Sequence, residues 1–200
     1  MQPKWDERYS EDEFAFGTEP NTFLVQQASL LSGPVLALAE GEGRNAVYMA
    51  TIGLEVYGVD ASSVGLAKAH RLADSRGVSI QTDVVDLAEF NPRENHYGTV
   101  VSIFAHLPSA IRQRLYPLVE RCLVPGGLIL CEAYSKEQIH RDTGGPKDLD
   151  LLMSRKDFES AFPNCDIVLS QEIDREVLEG CYHTGLASVV QFVARKRKLG

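Results

Sequence analysis

The sequence predicts an α/β protein: an open, doubly wound, mostly parallel sheet closed by an antiparallel hairpin. Three observations predict it. Short runs such as Val35-Leu36-Ala37-Leu38 are wholly apolar, as strands covered by helices on both faces are. Stretches of helical spacing separate these runs, which gives βαβ units. Near the end, residues 166–177 and 186–195 alternate or run apolar, with Gly180 and Gly185 between them, as a closing hairpin would.

Before the first core strand lie Trp5-Asp6-Glu7-Arg8-Tyr9 and Phe14-Ala15-Phe16-Gly17-Thr18-Glu19-Pro20-Asn21. They are rich in aromatics without clear periodicity and read as an arm packed over the sheet edge. Asn21 is placed to cap a helix from Thr22 to Leu31. The first strand then runs into Glu40-Gly41-Glu42-Gly43-Arg44-Asn45, and helical spacing follows through Ala46, Val47, Met49 and Ala50 to Gly53. A strand, a glycine turn and a helix in succession let a ligand approach the backbone and meet unpaired N–H groups of the first helical turn. The second strand, Glu55 to Val59, ends in Asp60 followed by Ala61. An acid about 20 positions past such a turn bonds ribose hydroxyls in nucleotide-binding units.

Ser62 or Ser63 caps the next helix, which Gly77 ends, and His70 within it reads as a partly buried structural histidine. A third strand is expected over Val78 to Thr82, leading to Asp83, Asp86 and Leu87. An acid at that strand end suits an adenine amino group, and Asp83 and Asp86 are the two candidates. The fourth strand, Thr99 to Phe104, delivers His106 at its tip, where a histidine either contacts cofactor, serves as general base, or only caps the following helix. Pro108 suits that helix's first turn, and Pro117 is a candidate kink before Leu123. After the turn Val124-Pro125-Gly126-Gly127 comes a fifth strand, Leu128 to Tyr134. Residues 135–153 read as a lid loop, and Ser154-x-x-Asp157 as a capping box. In the hairpin connection Glu179, Tyr182 and His183 are near enough to reach a substrate mouth, although a solvated loop accounts for them as well.

The ligand is narrowed by what the turn lacks. Position 46, where dinucleotide folds carry a third glycine, is alanine, and Glu40 and Glu42 would repel a pyrophosphate. The same acids suit a ligand bearing an ammonium and a sulfonium, such as S-adenosylmethionine. On the run Ala39-Glu-Gly-Glu-Gly-Arg-Asn45 the chain resembles class I S-adenosylmethionine-dependent methyltransferases, and within them the tellurite-resistance and thiopurine branch. The L-x-P-G-G-x-L run before the fifth strand is a second match. The resemblance implies a single Rossmann-like domain of seven strands, with an arm and first helix in 1–34, a cofactor-binding core in 35–134, a lid in 135–153, and a helix and closing hairpin in 154–200. It implies cofactor contacts from Glu40, Gly41, Gly43, Arg44, Asn45, Asp60, Ala61, Asp86 and Leu87. An opening W-D-x-x-Y and F-G-x-x-P-N add Phe16 and Gly17 as cofactor contacts, Tyr9 as a substrate contact beside His183, and an arm that closes over the site. The chain departs from that family at Ala37, where an aspartate is common, and at Ala39, where the first glycine stands.

Composition excludes several other classes. Two hundred residues at 44% hydrophobic content supply one sizeable core. A net charge of -8 and a pI near 5.1 argue against gripping nucleic acid through phosphates. The one basic run, Arg195 to Lys198, reads as a frayed tail. The four cysteines are scattered without metal-ligand spacing, and the apolar runs are too short to span a bilayer, so the expectation is a metal-free cytoplasmic protein with a small-molecule partner. Two rivals remain open. A nicotinamide-dependent oxidoreductase would use Asp60 equally well, and Ala37 with Ala39 leaves room for a module that binds S-adenosylmethionine without turning it over.

Overall fold

The computed structural model describes the backbone of residues 2–180 and 183–198, with side chains from residue 5 onward and, after the gap, from residue 184. The element order is α1 (Gln2–Tyr9), α2 (Thr22–Gln26), β1 (Val35–Leu38), α3 (Arg44–Thr51), β2 (Val56–Asp60), α4 (Ser63–Ser75), β3 (Gln81–Val84), β4 (Tyr97–Ile103), α5 (Ser109–Cys122), β5 (Leu123–Tyr134), α6 (Arg155–Ala161), β6 (Cys165–Glu179) and β7 (His183–Lys196). One seven-stranded sheet runs β3-β2-β1-β4-β5-β7-β6. Strands β1 to β5 pair in parallel, and β7 enters antiparallel between β5 and β6. Two apolar clusters form the core, one holding Phe23, Val35, Met49 and Tyr134, the other Leu36, Val59, Leu115 and Phe192. Val35 and Leu36 are neighbours in β1 yet belong to different clusters, because alternate side chains leave opposite faces of a strand. The whole of β1 is buried, as its uncharged run predicts. Among the described residues no helix is long and apolar enough to cross a membrane.

Several boundaries differ from the sequence reading. The helix expected from Thr22 to Leu31 stops at Gln26 and continues as a 3-10 turn over Ala28–Leu30. β3 begins at Gln81, three residues late, because Val78 N–H still donates to Ala73 O at the end of α4. It is an edge strand with exposed residues, so it carries no apolar alternation to read. Pro108 stands just before α5, while Pro117 lies inside that helix without ending it. The Val124–Gly127 turn is taken into β5 as an irregularity in its pairing with β4. Arg195 and Lys196 do not fray. They lie in β7, with Arg195 Nη1 donating to Gly126 O at 2.8 Å and Lys196 Nζ to Leu123 O at 2.6 Å, while Arg197 pairs with Asp166 at 2.7 Å. His70 is exposed, its Nε2 within 2.7 Å of Thr82 Oγ1.

The N-terminal arm is fastened by a buried charge. Lys68 of α4 is 1% exposed and its ammonium lies 2.5 Å from Glu42 in the glycine turn. It also donates to the carbonyls of Glu11 (2.9 Å) and Glu13 (2.6 Å) and sits over the Phe14 ring. Neither Glu42 oxygen has a partner in directed hydrogen-bond geometry among the described residues, so the ammonium is its compensation. Removing one member of a buried pair leaves an uncompensated charge and costs about 3–5 kcal/mol, whereas removing both costs far less. Lys68→Met should therefore lose stability on that scale in urea denaturation, and adding Glu42→Gln to it should restore a large part. Losses that simply add would show that the pair is not coupled.

Candidate active site

The carboxyl ends of the parallel strands open into one cavity of about 620 Å³. Its floor is the turn after β1. Gly41 has φ +60°, and a Cβ there would lie 2.7 Å from Tyr9 Oη, so glycine is what lets α1 close on the turn. Ala39 takes φ +53°, so the position where the resembled family carries glycine keeps the left-handed backbone at a steric cost. Ala37 is fully buried in β1 and does not line the cavity, so its lack of a carboxylate leaves the wall unchanged. Gly43, expected at the cofactor, also does not line it. At φ +88° it packs against α4, where a Cβ would come within 2.5 Å of Ala69 Cβ, so this glycine serves helix packing.

Asp60 joins the turn to β2. One carboxylate oxygen accepts the Gly41 N–H at 2.9 Å and the other accepts the Ser62 N–H at 2.8 Å. Burial pushes its pKa up, and the Ser62 and Gly41 N–H groups hold the rise back. Glu40 is also buried, and its Oε1 accepts the Ala46 N–H at 2.7 Å in the first turn of α3. Burial raises its pKa to about 7, while that N–H and the Arg44 charge pull the other way. Asp86 is exposed on the cavity wall and accepts the Ala88 N–H, with Leu87 beside it. Asp83, the fallback to the Asp86 that the resemblance implies, accepts from Tyr57 Oη and does not line the cavity. Ala61, Phe16 and Gly17 line it, and so does Tyr9, stacked with Trp5 (5.7 Å between centroids) and edge-on to Phe16 (6.4 Å). His183's side chain, Tyr182 and Cys181 lie outside the described residues.

Arg44 and Asn45 line the cavity, but the Arg44 guanidinium and the Asn45 Oδ1 are committed behind it. Arg44 Nη2 pairs with Glu179 at 2.5 Å, and Asn45 Oδ1 accepts the Asn21 N–H at 2.9 Å. Asn21 Nδ2 donates to Glu132 at 2.6 Å and to Glu179 at 2.9 Å, and Arg175 binds Glu132 through two nitrogens at 2.9 and 2.5 Å. Two arginines thus neutralise two buried glutamates behind the turn. Glu179 is therefore no solvated loop residue: it is 5% exposed and ties the tip of the β6–β7 hairpin to the start of α3. Gly180 follows it with φ +67°, and its missing Cβ admits the backbone of Ala15 and Phe16, where a methyl would fall 2.3 Å from Ala15 O.

The far end of the cavity is formed by the loop after β4 and by residues 144–147 of the expected lid. Phe104 and His106 have φ +51° and +47°. Of the four non-glycine residues described with positive φ, three (Ala39, Phe104, His106) line this one cavity, and strained backbone concentrates at functional sites. His106 lies parallel to the Tyr134 ring at 5.5 Å. Sequence reasoning missed Lys68, Glu132 and Arg175, whose only local signal is a charge within an otherwise apolar run or strand, and it missed Leu107, Ile111 and Leu151 on the cavity wall.

Comparison with known proteins agrees with this geometry. Residues 35–127 match the family model described as a methyltransferase domain. A 2-heptyl-1-hydroxyquinolin-4(1H)-one methyltransferase of Mycobacteroides abscessus is 26% identical over 131 residues, covering 64% of this chain and 58% of that protein, so the match spans less than two thirds of the relative. Among solved structures, one described under the conversion of a disulfide bond into a thioacetal group during echinomycin biosynthesis superimposes with a TM-score of 0.79 at 20% identity, over 100% of this chain and 94% of that one. TehB from Haemophilus influenzae gives 0.73 at 17% identity, over 98% and 67%. These two show the fold. The match of residues 35–127 to a methyltransferase domain agrees with the turn and with the acid at the end of β2.

Proposed function

We propose that the protein transfers a methyl group from S-adenosylmethionine to a small-molecule nucleophile by direct in-line displacement. The observation that carries this reading is the placement of Asp60, Glu40 and Asp86 around one cavity floored by a glycine turn. The donor set fits the cofactor's chemistry. Asp60 is oriented by two backbone N–H groups and is suited to two ribose hydroxyls, Asp86 and the Leu87 N–H to an adenine edge, and Glu40 to an ammonium. Phe16 and Gly17 close the site from the arm. When bound, the cofactor supplies a methyl on a sulfonium; the acceptor's bond to carbon forms as the sulfur–carbon bond breaks, and the electron pair stays on sulfur. His106 is the candidate to take the acceptor's proton, and residues 135–153 are the candidate lid. Orientation of this kind is worth on the order of 7–11 kcal/mol in favourable cases, so no further catalytic group is required. The tellurite-resistance branch and a cytoplasmic location belong to the same proposal, the former resting on the turn and on the arm's W-D-x-x-Y. The acceptor classes that go with this reading are a thiol, a chalcogen oxyanion or a similar nucleophile, to which the relative named for a hydroxyquinolone adds a hydroxylated heterocycle.

S-adenosylmethionine and S-adenosylhomocysteine should each raise the melting temperature by several degrees, and NAD should leave it unchanged. A shift with NAD alone would favour the oxidoreductase instead. Turnover is checked by release of S-adenosylhomocysteine in the presence of phenols and thiols; cofactor binding without release on any acceptor would make this a binding module.

Glu40 gives the binding a pH dependence. With a folded pKa of about 7 against an ordinary 4.5, the carboxyl holds more protons folded than unfolded between those values, so stability of the free protein falls as pH rises from 4.5 to 7. A cationic ligand favours the ionised form. Affinity for S-adenosylmethionine should therefore climb about fivefold as pH rises from 6 to 7 and about twofold more before levelling off, with proton release in calorimetry. Glu40→Gln should weaken binding and flatten that slope, and an unchanged slope would remove Glu40 from the site.

A further inference from the structure

The two ends of the cavity differ in charge. Asp86 after β3, Asp60 at the end of β2 and Glu40 after β1 line one end. At the other, Leu107, Ile111 and Leu151 make a partly buried apolar wall beside Pro146 and Lys147. Arg112 donates to the carbonyls of Leu107 and Asp150, which ties the start of α5 to the 149–151 turn and keeps these three apolar residues on one surface. Among the described residues, the lysines and arginines that line the cavity are Arg8, Arg44 and Lys147. Arg44 is held by buried Glu179, and the Arg8 guanidinium lies over the Trp5 ring of the arm at 5.4 Å. Lys147 is therefore the cation of the apolar end.

Its backbone is fixed while its ammonium lies in water. Gln138, fully buried, donates to Thr143 Oγ1 at 3.1 Å and to Gly144 O at 3.0 Å, and its Oε1 accepts the Ser188 N–H at 2.8 Å. Gly145 packs on the Tyr134 ring, where a Cβ would stand 2.7 Å from Cδ2. These contacts hold the 144–147 segment at the cavity wall. The Lys147 ammonium binds Arg141 O and, at 3.1 Å, Asp142; the lysine side chain is 55% exposed and the aspartate fully so. Water and salt already screen such a pair, so a carboxylate arriving from the cavity replaces Asp142 at little cost. The neighbouring charges are engaged elsewhere. Asp148 accepts the Asp150 N–H and Asp150 the Ser109 N–H, each at 2.9 Å, and Arg141 pairs with Asp174 at 2.7 Å. An anionic group on a guest is thus repelled by the carboxylates of the glycine-turn end and drawn to Lys147, which fixes the direction in which the guest lies.

We propose that the acceptor is an apolar molecule carrying a carboxylate remote from its nucleophile, and that Lys147 reads that carboxylate while Leu107, Ile111 and Leu151 hold the apolar body. This rests on the methyl-transfer reading and names the specificity-determining residue of its acceptor end. The test is calorimetric titration of the protein saturated with S-adenosylhomocysteine, using octanoate, 1-octanol and octylamine as probes that share one apolar body and differ in charge. Octanoate should bind at least tenfold more tightly than either of the others. Lys147→Glu should bring octanoate below octanol, and Lys147→Arg should keep the preference for octanoate, with S-adenosylhomocysteine affinity within twofold in both variants. Ile111→Gln should weaken octanoate and octanol alike, at least fivefold. Octanoate that binds no more tightly than octanol, octylamine as the tightest probe, a preference for octanoate that survives Lys147→Glu, or octanoate binding indifferent to Ile111→Gln would overturn the proposal. Failure of S-adenosylhomocysteine to bind would instead defeat the methyl-transfer reading beneath it.

Discussion

The carboxylate of Asp60 is the constraint on which the site depends. It ends β2, yet one oxygen accepts an N–H from the turn after β1 and the other an N–H from the start of α4. A single side chain thereby sets the spacing of three elements that are adjacent only because β1 and β2 pair in parallel. The glycines make the arrangement sterically feasible. Gly41 leaves room for Tyr9 above the turn, and Gly43 lets α3 and α4 approach until the backbones nearly touch. Both would be strained with a side chain, at their φ values and in the space available.

Charge is spent on either side of this clasp in different ways. Behind the turn, Arg44 and Arg175 neutralise Glu132 and Glu179, and Asn21 satisfies both glutamates. The network spans the arm, α3, β5 and the hairpin, so the closing hairpin of the sheet also buttresses the turn. Buried ionic groups of this kind are costly when half satisfied, which is why so many partners converge on Glu132, including the Gln191 amide at 2.7 Å. In front, Glu40 and Asp60 keep carboxylates at the wall of the cavity with raised pKa values, an arrangement that suits a cationic guest.

What could be read from the sequence was what is local. β1, its turn and Asp60 lie within 26 residues, and their apolar run, glycines and terminal acid each carry a signal at close spacing. The parallel character of the sheet and its antiparallel closure followed from the same kind of pattern. The polar network was not legible, because Asn21 meets Glu132 across 111 positions and Glu179 across 158, and neither glutamate differs in sequence from a surface residue. β3 was misplaced because an exposed edge strand has no buried face to impose alternation. The basic run was taken for a tail because its carbonyl partners, Gly126 and Leu123, lie on a strand about 70 residues earlier. Glu179 was assigned to solvent since hairpin tips ordinarily are exposed, whereas this tip folds back onto the arm.

A crystal structure of the complex with S-adenosylhomocysteine tests the central claim most directly. The account predicts the ribose hydroxyls on Asp60, the adenine edge at Asp86 and Leu87, and the amino-acid end beside Glu40. A ligand bound elsewhere, or a cavity still closed by Tyr9 with Asp60 out of reach of the sugar, would contradict it.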